Sequence, residues 1–444
     1  ASASRACVHV TSSAHFSGPG NRAVGGGGGK HGDRPDDRRL PAEGSVTPMS
    51  SALLVTMAGY DRPGLTASLL REIAECRLSV LDLEQVVIHD RLVFGLLLDM
   101  RGATASDVER ASSKIDAFGR GSNLTVHIEQ VPAPKGPLRQ IRTIVIVLGA
   151  PLCPTALARV AETITGCGGN IDGVFRVADH PVTALEMEVT GADPNDLRVH
   201  LAKVSAESGI DLSVQRPGLH RRGTRLVVMD VDSTLVQGEV IELIADHAGC
   251  RDQVAEITGR AMRGELDFAA SLRERVALLA GTPVEVLDEV RAKVRLTPGA
   301  RTLCQTMSEL GFKLALVSGG FHEVVDPIAA ELGIEAVRAN RLATADGLLT
   351  GQLLGPIIDR QGKAEALVEF ADRFGVALER TVAVGDGAND LDMIAKAGLG
   401  IAFNAKPVVR AAADASLNVP YLDSVLYLLG IPREEIDSAN AGID

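Results

Sequence analysis

Residues 225–235 read R-L-V-V-M-D-V-D-S-T-L, a run of β-forming apolar residues that stops at Asp230 and is followed by a second acid at Asp232. A short apolar run bounded by polar residues predicts a buried strand. In extended backbone, residues i and i+2 point the same way, so Asp230 and Asp232 are expected to converge on one ligand at the strand's carboxyl end. Two carboxylates that close repel unless a cation or a shared proton intervenes. A divalent cation taken by hard oxygen donors, hence magnesium, is the economical reading. Taken alone, the pair also fits an acidic turn capping the next helix.

Three later segments end in the same manner. K-L-A-L-V-S leads into Ser318, Gly319, Gly320 and a helix from Phe321, so the Ser318 hydroxyl and the Gly319 N–H are expected to cradle a phosphate oxygen. Lys363 opens the helical stretch K-A-E-A-L-V-E-F-A-D-R-F, a cation set against the positive helix end that an adjacent anion would explain. T-V-A-V-G-D-G-A-N-D-L-D-M puts Asp386 directly after a strand, with Asn389 and Asp390 facing the next helix. Asp386 would complete a metal set of Asp230, Asp232 and Asp386. Each segment by itself has a plainer reading as a Ser-Gly turn, a surface lysine or an Asx turn. Strands alternating with helices from residue 225 onward predict an α/β, doubly wound parallel sheet with its ligand crevice at the strand carboxyl ends.

Between Asp230 and Ser318 lies a helical insertion, about residues 240–296, long enough to cap that rim. Phe268, Leu272, Arg275 and Leu279 fall at i, i+4, i+7 and i+11, on one helical face, while Arg273 points away. Arg275 suits a bidentate grip on a substrate carboxylate, or a structural ion pair with a neighbouring helix. Glu239, at the entrance to the insertion, could accept hydrogen bonds from an ammonium group, or simply favour a helix N-terminus. One acid and one base above a phosphate site describe a zwitterionic phosphomonoester, and phosphoserine has those groups.

Upstream, residues 52–131 read as strand, helix, strand, strand, helix, strand, and residues 139–215 repeat that βαββαβ order. Gly59 matches Gly149 and Asp82 matches Asp172 at a common offset, 149 − 59 = 172 − 82 = 90. The expected layout is a disordered Gly- and Ser-rich tail (1–49), two small α+β domains (50–132 and 139–216), a catalytic domain (223–430) and a C-terminal tail (431–444).

The 444 residues are 45% hydrophobic and 23% charged, which excludes a single small module and a mainly disordered chain. A net charge of −12 leaves no overall basic field to draw nucleic acid or an anionic membrane surface. The most apolar stretch, 143–152, contains Gly149 and Pro151 and is far shorter than the roughly 20 residues that span a bilayer. Residues 1–30 hold no apolar run of signal-peptide length. Six scattered cysteines form no C-x-x-C pair, and a reduced, cytoplasmic setting is expected.

In this order, Asp-x-Asp, Ser-Gly, Lys and Gly-Asp-Gly-x-Asn-Asp strongly resemble the four motifs of the haloacid dehalogenase-like phosphohydrolases. That resemblance implies Mg2+, Asp230 as a nucleophile forming an aspartyl phosphate, and Asp232 as the acid that protonates the leaving alcohol and then deprotonates water. With Glu239, Phe268, Arg275, Ser318, Gly319 and Lys363, the chain is similar to phosphoserine phosphatases of the long form with two N-terminal ACT-like domains, over about residues 51–429. Met262 sits where that family places another lid residue. Asn389 would contact the substrate phosphate and Asp390 would orient the metal shell. The implied activity is hydrolysis of O-phospho-L-serine to L-serine and phosphate, the last step of serine biosynthesis. The readings left beside it are a phosphatase for another small phosphomonoester and a non-catalytic amino-acid sensor. A kinase is disfavoured, since neither a P-loop nor H-R-D occurs. ACT-like domains commonly bind amino acids at paired interfaces, which makes Gly59 and Asp61 (in D-R-P-G) and Gly149 and Asn170 candidate contacts for an effector such as serine. The second copy departs from the first with P-L-C-P at 151–154, so equal binding by both copies is not implied. A structural role stands equally open, and a homodimer is expected.

Overall fold

The computed structural model describes residues 51–133, 142–218, 223, 225–262 and 265–440, without the side chains of 262 and 440. The tail expected over 1–49 and the lid side chain expected at 262 lie outside the described residues. The chain divides into two compact units, Ala1–Pro137 and Leu138–Asp444.

The first unit contains β1 (Ser51–Tyr60), α1 (Leu65–Ile73), β2 (Ser79–Ile88), β3 (Arg91–Asp99), α2 (Ala105–Ser122) and β4 (Leu124–Pro132). Its antiparallel sheet runs β2-β3-β1-β4. Leu53, Val55 and Met57 on one face of β1 pack on Leu69 and Ile115 of the two helices, the alternation expected of a sheet covered on one side. Thr104 and Asp107 close a reciprocal capping box that starts α2.

The second unit opens with the same order: β5 (Arg142–Gly149), α3 (Pro154–Gly166), β6 (Asn170–Ala178), β7 (Thr183–Thr190), α4 (Pro194–Ser208) and β8 (Asp211–Gln215). Its strands lie β8-β5-β7-β6, matching β4-β1-β3-β2 position for position, so the repeat is structural as well as textual. Here the sheet does not end at β8. The catalytic region supplies β9 (Leu226–Met229), α5 (Val240–His247), α6 (Arg251–Met262), α7 (Phe268–Ala277), α8 (Val286–Lys293), α9 (Ala300–Glu309), β10 (Lys313–Phe321), α10 (His322–Glu331), β11 (Ala336–Ala345), β12 (Leu348–Leu354), α11 (Arg360–Phe374), β13 (Thr381–Gly385), α12 (Leu391–Lys396), β14 (Leu399–Phe403), α13 (Pro407–Ala412), β15 (Ala415–Leu417), α14 (Ser424–Leu428) and α15 (Arg433–Asn440). All its strands join β5–β8 in one sheet of order β12-β11-β10-β9-β13-β14-β15-β8-β5-β7-β6.

Two findings add to the expected layout. The break placed near residues 216–223 is crossed by the sheet, because β15 pairs antiparallel with β8 at Ala415 and Ser213. Asp211 accepts hydrogen bonds from the Asn418 backbone N–H (2.8 Å) and Nδ2 (2.6 Å), and Gln215 Nε2 donates to the Leu428 carbonyl (2.7 Å). The segment after residue 430, expected as a tail, carries α15, whose Ile436 is fully buried in the shared core and whose Arg433 pairs with Asp423 and Asp437.

From β11 to β15 the strands are parallel, in the doubly wound order 3-2-1-4-5-6 when counted from β9. Every residue of β9 and β13 is buried, which is why both read as unbroken apolar runs. The order reverses beside β9, so the crevice opens where β9, β10 and β13 end. The insertion α5–α8 leaves and returns over that crevice. Its two stems are tied together by the Gln237 N–H to the Arg295 carbonyl (2.8 Å) and the Thr297 N–H to the Leu235 carbonyl (2.9 Å). Among the described residues no helix is long and apolar enough to cross a membrane.

Candidate active site

Asp230 leaves β9 buried, its N–H bonded to the Val384 carbonyl of β13 (2.9 Å) and its Oδ1 accepting from the Val231 N–H (2.7 Å). Its Oδ2 lies 2.7 Å from Lys363 Nζ, which also reaches Asp390 Oδ1 at 2.7 Å. Lys363 is completely buried. Burial opposes its charge, yet Asp230 and Asp390 outweigh that and raise its pKa. Burial, together with the Asp390 charge, pushes the Asp230 carboxyl well above its ordinary range. Asp386 is pushed to about 6 by burial and by Asp390, although the Thr234 hydroxyl donates to its Oδ1 (3.0 Å).

Asp230, Asp386 and Asp390 can each offer an oxygen within 4.8 Å of the others. Three carboxylates around one ammonium leave a surplus of negative charge, and hard oxygen donors suit a small divalent cation. The donor set therefore fits a divalent metal, and these three carboxylates are the ones in position to hold it.

The structure departs from the sequence reading at Asp232. Its Oδ1 accepts from the Val240 N–H (2.8 Å) and its Oδ2 from the Ser318 hydroxyl (3.3 Å), so its carboxylate faces the cap rather than joining the other three. The strand rule fails because β9 ends at Met229. Val231–Leu235 is a tight turn closed by the Val236 N–H to the Val231 carbonyl (2.9 Å), with Ser233 at φ 57°. The two-residue repeat holds only in extended backbone. Burial raises the Asp232 carboxyl, against the Val240 N–H and the Lys363 charge.

Ser318 is buried at the end of the β10 apolar run, and its Oγ accepts from the Gly320 N–H (2.8 Å). A Cβ at Gly320 would come within 2.9 Å of the Asp232 carboxylate, and one at Gly319 within 3.0 Å of the Phe268 ring, so both glycines keep space that a side chain would fill. Lys363 does not open its helix as expected. Asp359 caps α11 by accepting from the Gly362 N–H (2.9 Å), which places Lys363 one turn inside.

One cavity of about 590 Å³ covers this floor, lined by Asp230, Asp232, Gly319, Asp386 and Asn389 below and by Glu239, Phe268 and Arg275 of the cap above. Phe268, Leu272, Arg275 and Leu279 share the inward face of α7 and the turn after it, while Arg273 is exposed. Arg275 is 9% exposed; its Nε donates to the Ser271 carbonyl (3.4 Å), and among the described residues no carboxylate lies within ion-pair distance of it. Burial pulls its pKa down, against Glu239 and Asp232. Glu239 opens surface into the cavity while protein surrounds it. Poor solvation there, with Asp232 beside it, pushes its carboxyl to about 7.

A family model for haloacid dehalogenase-like hydrolases matches residues 227–395, and ACT domain models match 51–129 and 142–215. A phosphoserine phosphatase of Streptomyces coelicolor is 51% identical over 402 residues, 88% of this chain and 95% of that protein. The chain belongs to the phosphoserine phosphatase family. A second family member, from Mycobacterium tuberculosis, is 48% identical over 405 residues, 89% of this chain and 97% of its own length. The solved structure of a probable phosphoserine phosphatase from Vibrio cholerae aligns with a TM-score of 0.52 at 33% identity, over 68% of this chain and 89% of that one.

Within this member of the phosphoserine phosphatase family, Asp230, Asp232, Glu239, Arg275, Ser318, Gly319, Lys363, Asp386 and Asn389 all come to one place. The sequence reading gave Asp390 an orienting role, whereas the structure puts it in direct contact with Lys363 and gives its Oδ2 the Gly387 N–H (2.9 Å). Arg360 and Lys406 also line the cavity and were missed, since each sits on a helix start with no motif around it. The candidate effector residues fall in separate units. Gly59 lies near the end of β1 and Asp61 is exposed after it, while Gly149 ends β5 and Asn170 starts β6, where its Nδ2 donates to Asp172 Oδ1 (2.6 Å).

Proposed function

We propose that the chain is a magnesium-dependent hydrolase of O-phospho-L-serine, releasing L-serine and phosphate as the closing step of serine biosynthesis. One observation carries this: a single cavity has a floor of clustered carboxylates and a roof bearing one acid and one arginine that, among the described residues, has no carboxylate within ion-pair distance. A phosphate beside Asp230 and Lys363, with a carboxylate toward Arg275 and an ammonium toward Glu239, satisfies all three regions at once.

Asp230 attacks phosphorus, the bond from phosphorus to the serine oxygen breaks, and Asp232 gives its proton to that oxygen. Asp232, now a carboxylate, takes a proton from a water that attacks the aspartyl phosphate, and the bond to Asp230 breaks to free phosphate. The raised pKa of Asp232 supports the acid role, because a proton survives on it closer to neutrality than on an ordinary aspartate. Ser318, the Gly319 N–H, Lys363 and Asn389 are suited to hold the phosphoryl oxygens. Mg2+ held by Asp230, Asp386 and Asp390 would add neutralisation of phosphoryl charge.

Phosphate release from phosphoserine, phosphohomoserine and hexose phosphates, with and without a chelator, tests the reading. Phosphoserine is expected to lead by at least about 100-fold, and chelation to remove the activity. Arg275→Ala is expected to lower that preference by about 100-fold, the loss of a bidentate charged contact. Equal rates across the panel, or full activity in chelator, would refute the proposal.

The ACT-like domains are proposed to bind an amino acid such as serine and to join two chains in a homodimer working in the cytoplasm. The apolar edge of the first domain supports pairing. β2 borders its sheet and is exposed throughout, with Val80, Val86 and Ile88 each more than half exposed. A monomer mass by light scattering on the full chain would overturn the dimer.

A further inference from the structure

We propose that Asn340 is a positioning residue for phosphoryl transfer, a buried amide that fixes both the Ser318 loop and the start of the Lys363 helix. The inference rests on the phosphatase reading above and adds a residue to it. Asn340 touches none of the reacting groups, and no motif surrounds it.

The need for such a residue arises from a fault in the sheet. β10 and β11 pair in parallel, with Val317 opposite Arg338 and Phe321 opposite Asn340. Between those pairs, Ser318, Gly319 and Gly320 face Ala339 alone, so the strand bulges and the regular ladder to β11 is interrupted there. A buried backbone group without a partner is costly. Asn340, 2% exposed, supplies that partner: its Nδ2 donates to the Gly319 carbonyl at 2.8 Å.

That bond sets the orientation of a peptide plane. In a trans peptide the carbonyl and the following N–H point in opposite directions, so holding the Gly319 oxygen toward β11 turns the Gly320 N–H the other way. There it meets Ser318 Oγ at 2.8 Å, and the occupied lone pair leaves the hydroxyl proton for Asp232 Oδ2, 3.3 Å away. The same amide works in the other direction. Its Oδ1 accepts from the Ile358 N–H at 2.9 Å, next to Asp359, the cap of α11. Four residues after that cap, Lys363 reaches Asp230 and Asp390. A side chain with one donor and one acceptor on a short stem is what the two bonds require. Aspartate lacks the donor.

The test compares the unaltered chain with Asn340→Asp and Asn340→Ala, using phosphoserine turnover together with product inhibition by inorganic phosphate and by L-serine. Both variants are expected to lose about 10- to 100-fold in kcat, somewhat less than removal of a direct transition-state donor. Inhibition by phosphate is expected to weaken about tenfold, while the inhibition constant for L-serine stays within about twofold, because Glu239 and Arg275 are undisturbed. A general loosening of the fold would weaken both products alike, and that outcome, or kcat within about threefold of the unaltered chain, would overturn the proposal. If neither variant folds, hydrogen exchange on the unaltered chain decides. The Ile358 amide should exchange as slowly as the β10 amides, and exchange at a loop rate would overturn the proposal. An unaltered chain that fails to release phosphate from phosphoserine would instead sink the functional reading and leave the two hydrogen bonds to the exchange measurement.

Discussion

Replacing Lys363 with methionine is expected to cost about 3–5 kcal/mol of stability at neutral pH in cation-free buffer, the penalty for breaking a buried ion pair by removing one partner. The side chain volumes are close, so the loss would come from charge. Lys363 lies 2.7 Å from both Asp230 and Asp390, and with it gone those carboxylates, clustered with Asp386, lose the ammonium between them. Protonation relieves that repulsion, so the deficit should shrink as pH falls from 7.5 to 5.5. The sign follows from linkage: carboxyls whose folded pKa is raised contribute stability at low pH and lose it as pH climbs through that pKa. Denaturant unfolding of both proteins at the two pH values, with and without Mg2+, measures it, and added Mg2+ should also narrow the gap. Turnover should fall by at least about 10³-fold, since a charge aimed at the phosphoryl group is lost. A stability loss below about 1 kcal/mol would mean that the acids are neutralised in some other way.

Asp230→Asn is expected to reduce turnover by at least about 10⁴-fold, the scale on which removal of a nucleophile acts. The fold should survive. The amide oxygen can still accept from the Val231 N–H, and Lys363 keeps Asp390. Removing one negative charge from a crowded set should raise the melting temperature of the cation-free protein. Phosphate release and a thermal melt on the same sample check both parts, and turnover above about 1% of the unaltered chain would move the nucleophile elsewhere.

The ends of β9, β10 and β13 are legible in the sequence because a buried parallel strand is written as an apolar run and its rim as the first polar residues after it. Asp230, Ser318 and Asp386 are therefore readable, and α7 gives away Arg275 through its helical period. The Asp232 carboxylate is misread because the strand stops at Met229 and the turn that starts at Val231 comes between the two acids. Asn340 leaves no trace at all, since its partners are backbone groups that every residue carries. α15 is hidden for a different reason: R-E-E-I-D-S-A-N offers the single anchor Ile436, and one apolar residue makes no period. The join of β8 to β15 is equally invisible, because which edges meet depends on how the whole sheet is stacked.

That join bears on how the protein can be taken apart. In the first ACT-like unit β4 pairs, among the described residues, with β1 alone, but the matching strand of the second copy has become part of the catalytic body's sheet. Cutting the chain ahead of Arg225 would undo the pairing of Ala415 with Ser213 and strip Asn418 of its Asp211 and Leu428 of its Gln215. Such a fragment would leave the three-residue β15 as a bare hem of the sheet, so the second copy serves the body behind it as a border, whatever it binds.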